Sequence, residues 1–332
     1  KNYNYTITGD TDGVKTISIT YNVSKAANLV NKDGEWYLMQ DGQVVHKTTL
    51  AQVNGTGTWY YVEDGKLNWN YTGLVKYYST WYYVQNGVLH WDYNGLIQHK
   101  NTWYYIENGR VNENYTNLVK YNGSWFFVKH GKIDWSINTL SQVDGKGTWY
   151  KVTGGKLDWN FTGLVNYFGT TYYIHKGVLN WNYNGLVQHK NTWYYIENGR
   201  LNKNYTNLVK YNGTWYFVKN GQIDWSINTL SQVNGKGTWY YVDNAKINWH
   251  YTGLTNYFGT WYYIQNGVLN WNYNGLTYYN GTWYYVQNGR INWDYEGIVS
   301  YNGKKYYVTN AKIDWSFTGK YKNYNIKNGE VK

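Results

Sequence analysis

The 332-residue sequence contains no cysteine and no proline, a single methionine and only seven phenylalanines. The absence of cysteine excludes a disulfide framework, a thiolate metal site and a cysteine nucleophile. Without proline, every residue keeps its backbone donor, as ladders of paired strands require. There is no apolar run of about 18 residues, the length of a membrane-spanning helix, so no membrane insertion is expected. The chain opens on Lys1 without a charged, apolar leader. A soluble segment or mature fragment is therefore expected, with any attachment to a wall or membrane supplied from outside it.

What the sequence does have is aromatic: 43 Tyr and 21 Trp. A mean hydropathy of -0.73 and a net charge of +11 would suit a disordered chain, but an aromatic content of 21% argues against one. With few ordinary core builders, the expectation is an aromatic core. It should be shallow and half-wet, because Tyr and Trp bury large areas while needing a partner for one polar atom.

The aromatics are periodic. The segments TWYYVEDGKLNWNYTGLV (58–75), TWYYVQNGVLHWDYNGLI (80–97) and TWYYVQNGRINWDYEGIV (282–299) share the frame W-Y-Y-[V/I]-x-x-G-x-[L/I]-N-W-x-Y-x-G-[L/I]. Its anchor position falls at Trp36, Trp59, Trp81, Trp103, Trp125, Trp149, Thr171, Trp193, Trp215, Trp239, Trp261, Trp283 and Lys305, which makes thirteen units. Ten residues further lies a second site: His46, Trp69, Trp91, Glu113, Trp135, Trp159, Trp181, Lys203, Trp225, Trp249, Trp271, Trp293 and Trp315. Eleven anchor and ten second-site residues account for all 21 Trp, so none lies outside the frame.

From Trp59 the anchor steps run 22, 22, 22, 24 and then repeat, and the long step carries the insertion in SQVDGKGTW (141–149) and SQVNGKGTW (231–239). Blocks of four units, 90 residues long, are therefore internal duplications. Residues 1–33 lie outside the frame and are expected to form an N-terminal β cap, or the end of a preceding domain, with a turn at Asp12-Gly13. Residues 34–320 are the array of about thirteen units, and 321–332 read as a truncated terminal half-repeat.

Within a unit, Leu89, Trp91 and Tyr93 alternate with His90, Asp92 and Asn94, the period of a strand with one apolar face. Asn86-Gly87 separates this run from Trp81–Val84, and Asn-Gly is the dipeptide best suited to a two-residue hairpin turn. Leu96 to about Lys100 supplies a short third extended piece. A lone hairpin is marginal in water, so neighbours must stack. The expected fold is all-β, an elongated solenoid of stacked β-hairpin repeats, on the order of 120 Å long at two strands per unit. Repeated Asn-Gly turns favour antiparallel hairpins over a parallel β-helix. An odd unit count with a period of four fits a β-propeller poorly.

At GLVKYNGTWYYV, which is residues 207–218 with Asn207 in place of Gly and Phe217 in place of the second Tyr, the chain resembles the cell-wall-binding repeats of Gram-positive surface proteins. That family includes choline-binding modules and the glucan-binding repeats of streptococcal and related glucosyltransferases. The resemblance covers about residues 34–320 and keeps the seven-residue step from Leu74 to Trp81. It implies a binding appendage on a larger secreted protein at the bacterial surface or cell wall. The chain departs from the family where its G-W Trp becomes Leu or Ile, as at Leu74, Leu96, Leu118, Leu164, Leu254 and Ile298. It also has a tighter hairpin turn and an additional N-W-x-Y. Of the aromatic cage that the choline-binding branch builds around its cation, only the anchor Trp carries over, and the second-site Trp is the candidate for a missing face.

Trp and Tyr faces stack on sugar rings while neighbouring Asn, Gln, Asp and Lys bond hydroxyls, so a row of such sites suits a polysaccharide, with avidity from repetition. Two columns compete for the role. The second site tolerates His46, Glu113 and Lys203, whereas the anchor tolerates Thr171 and Lys305. Because charges are rarely buried unpaired, the second-site column (Trp69, Trp91, Trp135, Trp159, Trp181, Trp225, Trp249, Trp271, Trp293, Trp315) is the expected ligand face. The anchor column (Trp59, Trp81, Trp103, Trp125, Trp149, Trp193, Trp215, Trp239, Trp261, Trp283) is the alternative face or a structural one.

No catalytic set is expected, since Asp134, Asp158, Asp224 and Asp314 occupy a position that Asn fills at Asn68, Asn180 and Asn248. The seven His lack metal spacing, and no metal or cofactor is expected; His99 and His189 are expected to be solvated. Positive charge is scattered over Lys66, Lys76, Lys120, Lys132, Lys156 and Lys210, which suits a soluble surface or attraction to teichoic acid. Clustered Arg, as a nucleic-acid site would show, is missing. The sequence thus reads as a non-catalytic binding domain for cell-wall polysaccharide, teichoic acid or α-glucan. The alternative is an adhesin stalk or a self-associating surface spacer.

Overall fold

A computed structural model of the chain describes residues 3–9, 15–21 and 25–332, so the predicted turn at Asp12-Gly13 lies outside the described residues. Two compact units, Lys1–Asn160 and Phe161–Lys332, divide the chain. The first opens with an antiparallel pair, Tyr3–Gly9 against Lys15–Tyr21. Beyond it, both units repeat one three-stranded meander, six times in the first and eight in the second. The first copy begins with Asn28–Lys32, inside the stretch assigned to the cap, and the last spans Gly319–Tyr321, Tyr324–Lys327 and Glu330–Val331.

In a representative repeat, the opening strand Gly73–Tyr77 pairs with the central strand Thr80–Gln85, which pairs with a two-residue closing strand, Val88–Leu89. Asn86 and Gly87 form the second turn with φ of 49° and 74°, the left-handed pair that a two-residue hairpin needs. The architecture is the all-β stack of hairpin repeats expected from the sequence. A single parallel contact, Leu29 beside Val53, occurs among the described pairs.

Neighbouring repeats are joined through the central strand. One of its edges binds its own opening strand. The other is shared between its own closing strand and that of the next repeat, so Tyr82 pairs with Arg110. The Tyr83 amide donates to the Gly109 carbonyl at 2.9 Å, and the Gly109 amide donates to the Tyr93 carbonyl at 3.0 Å. Gly109 sits so close to the preceding repeat that a Cβ would lie 2.5 Å from the His90 carbonyl oxygen. A side chain there must displace backbone.

Two sequence expectations are corrected here. The alternation over Leu89, Trp91 and Tyr93 does not extend a strand; the closing strand stops at Leu89 and the chain turns. In most repeats Asn or Asp starts this turn by accepting the amide two residues on, as Asn68 does from Asn70 at 2.9 Å and Asp134 from Ser136 at 3.0 Å. Either residue type serves, which explains their interchange.

The core is also more aliphatic than expected. Its fully buried positions are the opening-strand Leu (Leu74, Leu96, Leu118) and the Val or Ile three residues after each anchor (Val84, Ile106, Val128). Tyrosines lie around them, and pairs such as Tyr105 and Tyr115 stack at 3.7 Å. Small aliphatic groups fit the narrow space between stacked hairpins, leaving the larger rings to seal its edges.

At the long step, the central strand lengthens to eight residues, Lys236–Asp243, and its pairing shifts register between Gln232 and Val233. The two extra residues are absorbed by a bulge without disturbing the stack.

Candidate functional site

The two Trp columns occupy different environments. Anchor Trp residues are half-buried and pack edge-on against a Tyr of the next opening strand: Trp59 on Tyr77 at 5.1 Å, Trp103 on Tyr121 at 5.0 Å and Trp261 on Tyr279 at 5.1 Å. Trp81 meets His99 instead, at 5.5 Å, because His fills the Tyr slot in that repeat. His99 and His189 are both half-buried, not solvated. Burial, and then the neighbouring Lys100, holds His99 below the ordinary imidazole range, and its Nε2 is buried without a partner.

Second-site Trp residues are all exposed, from 39% at Trp91 to 50% at Trp135 and Trp315. Each lies just past the closing strand and is held edge-on by a central-strand ring, as Tyr82 holds Trp91 at 5.8 Å and Phe126 holds Trp135 at 5.9 Å. The next repeat often brings a cation to the same place. Arg110 lies 5.7 Å from the Tyr82 ring and 5.1 Å from that of Trp91; Arg200 repeats this at Tyr172 and Trp181, and Arg290 at Tyr262 and Trp271.

Around Trp91 this arrangement borders an open cavity of about 570 Å³, also lined by Trp81, Glu107, Asn108, Arg110, Asn112 and Glu113. Its copy 90 residues later, about 660 Å³, is lined by Trp181, Glu197, Asn198, Arg200 and Asn202, but has Thr171 where the first has Trp81 and Lys203 where it has Glu113. Both keep a carboxylate tied to an amide, Glu107 to Asn112 at 2.7 Å and Glu197 to Asn202 at 2.8 Å. An open indole face, a guanidinium and several amides can stack a ring and bond hydroxyl or anionic groups.

Among the described residues, no group of three or more His, Asp or Glu is placed to hold a metal ion. The Ser136 hydroxyl and amide hold Asp134 below the usual carboxylate range, and Ser226 does the same to Asp224. These are turn residues.

The sequence alone did not single out Arg110, Arg200 and Arg290 or the Tyr that holds each second-site Trp. The signal was available: N-G-R recurs at 90-residue spacing, at residues 108–110, 198–200 and 288–290.

The choline-binding repeat profile matches residues 47–68, 70–90, 92–112, 114–134, 160–180, 182–202, 204–224, 251–270, 272–292 and 294–314, more than half of the chain. The chain belongs to the choline-binding repeat family. Its solved structural neighbours include choline binding protein F from Streptococcus pneumoniae, at 21% identity over 93% of this chain and 99% of that one, with a TM-score of 0.25. A second crystal structure of choline binding protein F, in the presence of a tetrasaccharide-pentapeptide peptidoglycan analogue, aligns at 21% identity over 100% of both chains with a TM-score of 0.24. The alternansucrase ASR in complex with isomaltononaose aligns at 21% identity over 76% of this chain but 19% of that enzyme, with a TM-score of 0.25. No curated protein sequence matches. Within the choline-binding repeat family, this chain keeps the W-Y-Y hairpin and carries a second, outward-facing Trp column.

Proposed function

We propose that the chain is a non-catalytic repeat domain that holds a secreted bacterial surface protein on cell-wall polysaccharide, with the second-site Trp column as its ligand face. One observation carries this reading: ten Trp side chains stand exposed at the same place in ten of the repeats. Isolated exposed apolar residues need no explanation, but a regular series of the largest side chain does. Membership of the choline-binding repeat family supports a wall-directed role. Single stacking sites are weak, and tethering many of them raises avidity by roughly 10²–10⁴ without any new contact. The net charge of +11 adds attraction to the phosphates of teichoic acid.

The test is a pull-down with purified Gram-positive walls, with and without teichoic acid and beside dextran, at two salt concentrations. Retention on walls, with a change in tryptophan fluorescence, is expected. Loss of retention with salt, and only on walls bearing teichoic acid, would identify the polyanion as the partner. Failure on every polymer would favour the adhesin stalk or spacer.

A further inference from the structure

Two departures from the repeat share the 90-residue period and meet in one cleft. The first is the insertion at the long step. The second is an aromatic residue in the turn between opening and central strands, at Tyr78, Phe168 and Phe258, where other repeats have a polar one, Asn122, Asn212, Asn280 and Asn302 or Lys100, Lys190 and Lys322. The aromatic residues adopt φ of 52°, 46° and 47°. Bulky side chains avoid this left-handed region, whereas Asn tolerates it. Burial does not compensate, since the three are 86%, 90% and 90% exposed. Each ring touches only the edge of the preceding Tyr and leaves most of its surface in water, and strain retained for so little packing points to a task other than folding.

In the second unit, Phe258 lines a cavity of about 720 Å³ together with Trp239, Tyr257 and Phe217. Trp239 and Tyr257 lie 5.4 Å apart, and Tyr257 and Phe258 4.5 Å, so the three rings form a continuous wall. The inserted turn at Asn234 also lines the cavity. It is fixed by three bonds, from the Asn234 backbone amide to Asn207 Oδ1 at 3.0 Å, from Asn207 Nδ2 to Asn234 Oδ1 at 3.4 Å and from Gln232 Nε2 to the Gly237 carbonyl at 2.6 Å. In the first unit the same ring series recurs, with Trp59 and Tyr77 at 5.1 Å and Tyr77 and Tyr78 at 4.6 Å.

The lining chemistry differs from that of the cavities at Trp91 and Trp181. Each of those carries Arg and Glu, whereas this one has rings, amides, hydroxyls and a single charge, Lys219, with no carboxylate. A cationic ligand would find no counter-charge. An uncharged sugar ring would find apolar faces for its C–H groups and amides for its hydroxyls.

We propose that the cleft bounded by Trp239, Phe258 and the inserted turn at Asn234 binds a pyranose ring of an uncharged glycan, with Phe258 as its clamp and Tyr78 in the same role in the first unit. The site is separate from the second-site Trp column, and only its ligand class rests on the polysaccharide reading above.

The experiment compares the full chain with Tyr78→Asn/Phe168→Asn/Phe258→Asn, which leaves no turn aromatic, and with Phe258→Tyr, which keeps a ring. Affinity electrophoresis in dextran, mannan and galactan gels measures uncharged-glycan binding; co-sedimentation measures wall binding. The triple variant is expected to fold with a raised thermal midpoint, to lose about tenfold in affinity for the retained glycan and to keep wall binding. Phe258→Tyr should bind as the native chain does. A folded triple variant with native glycan affinity overturns the cleft. So does a native chain that sediments with walls yet is retarded by none of the three glycans, which leaves the wall-binding reading standing. A native chain that binds neither glycans nor walls overturns both.

Discussion

The guanidinium of Arg110 lies 5.1 Å from the ring centroid of Trp91, although the two residues belong to successive repeats. The equivalent pairs, Arg200 with Trp181 and Arg290 with Trp271, stand at 5.1 and 5.0 Å, and Lys246 approaches Trp225 at 5.5 Å. Where the closing strand instead begins with Val88 or Val268, opposite Tyr60 and Tyr240, no charge is brought to this position. The chain's own cations therefore occupy some second-site Trp rings and leave others open.

Converting Arg110, Arg200 and Arg290 to Val should open three more rings. The expected outcome is a larger quench of tryptophan fluorescence by tetramethylammonium than in the native chain. Each substitution should cost about 0.5–1 kcal/mol of stability, the worth of an exposed cation–π contact. An unchanged quench amplitude would show that the guanidiniums do not screen these faces.

The two Trp columns should separate by stability. Trp81 packs against the cluster of Leu74, Tyr83 and Ile106, so Trp81→Ala is expected to cost about 3–5 kcal/mol, as for other large-to-small core changes. Trp91 is exposed and held by the edge of Tyr82 and by Arg110, so Trp91→Ala should cost about 1–2 kcal/mol. Urea denaturation of the two variants measures the difference. A larger loss at Trp91, with wall binding intact, would reverse the assignment of the columns.

The sequence revealed much of this arrangement because its strongest signals are local. Asn86-Gly87 encodes a turn over two residues, and the charges at Glu113 and Lys203 mark an exposed column without any knowledge of neighbours. What it concealed depends on contacts between repeats. Tyr82 and Arg110 are 28 positions apart and meet only because the closing strand of one repeat binds the central strand of the one before. The Asn-Trp turn was hidden differently: the apparent alternation through Leu89, Trp91 and Tyr93 gave a strand period, but side-chain capping by Asn or Asp ends the strand in most copies. The burial of His99 was hidden as the meeting of Tyr82 and Arg110 was, because the ring against it, Trp81, belongs to the preceding repeat.

The cavities at Trp91 and Trp181 should differ in their response to charge, since Glu113 lines the first and Lys203 the second. Glu113→Lys is expected to strengthen retention on walls bearing teichoic acid about two- to fivefold at low salt, and Lys203→Glu to weaken it similarly. Both effects should fade above about 0.5 M salt, where screening is nearly complete over such distances. Sedimentation with walls across a salt series checks this. Equal retention of both variants at low salt would mean that neither cavity meets a polyanion.

Alkaline pH should unfold the array through its stacked tyrosines. Burial, reinforced by neighbouring tyrosines, pushes Tyr115, Tyr183, Tyr205, Tyr251 and Tyr273 from the ordinary 10.0 up to about 12. The folded state thus holds these protons more tightly than the unfolded chain does. Their contribution is complete below about pH 10, where phenols are protonated in both states, and is lost as pH rises from about 10 to 12. The thermal midpoint, followed by near-ultraviolet circular dichroism, should be flat from pH 7 to about 9 and then fall. Tyr205, stacked on Tyr195 at 3.7 Å, provides the control. Tyr205→Phe keeps the stacked ring but removes one titrating hydroxyl, so its alkaline fall should be shallower than that of the native chain. Parallel curves for the two proteins would remove these tyrosines as the cause.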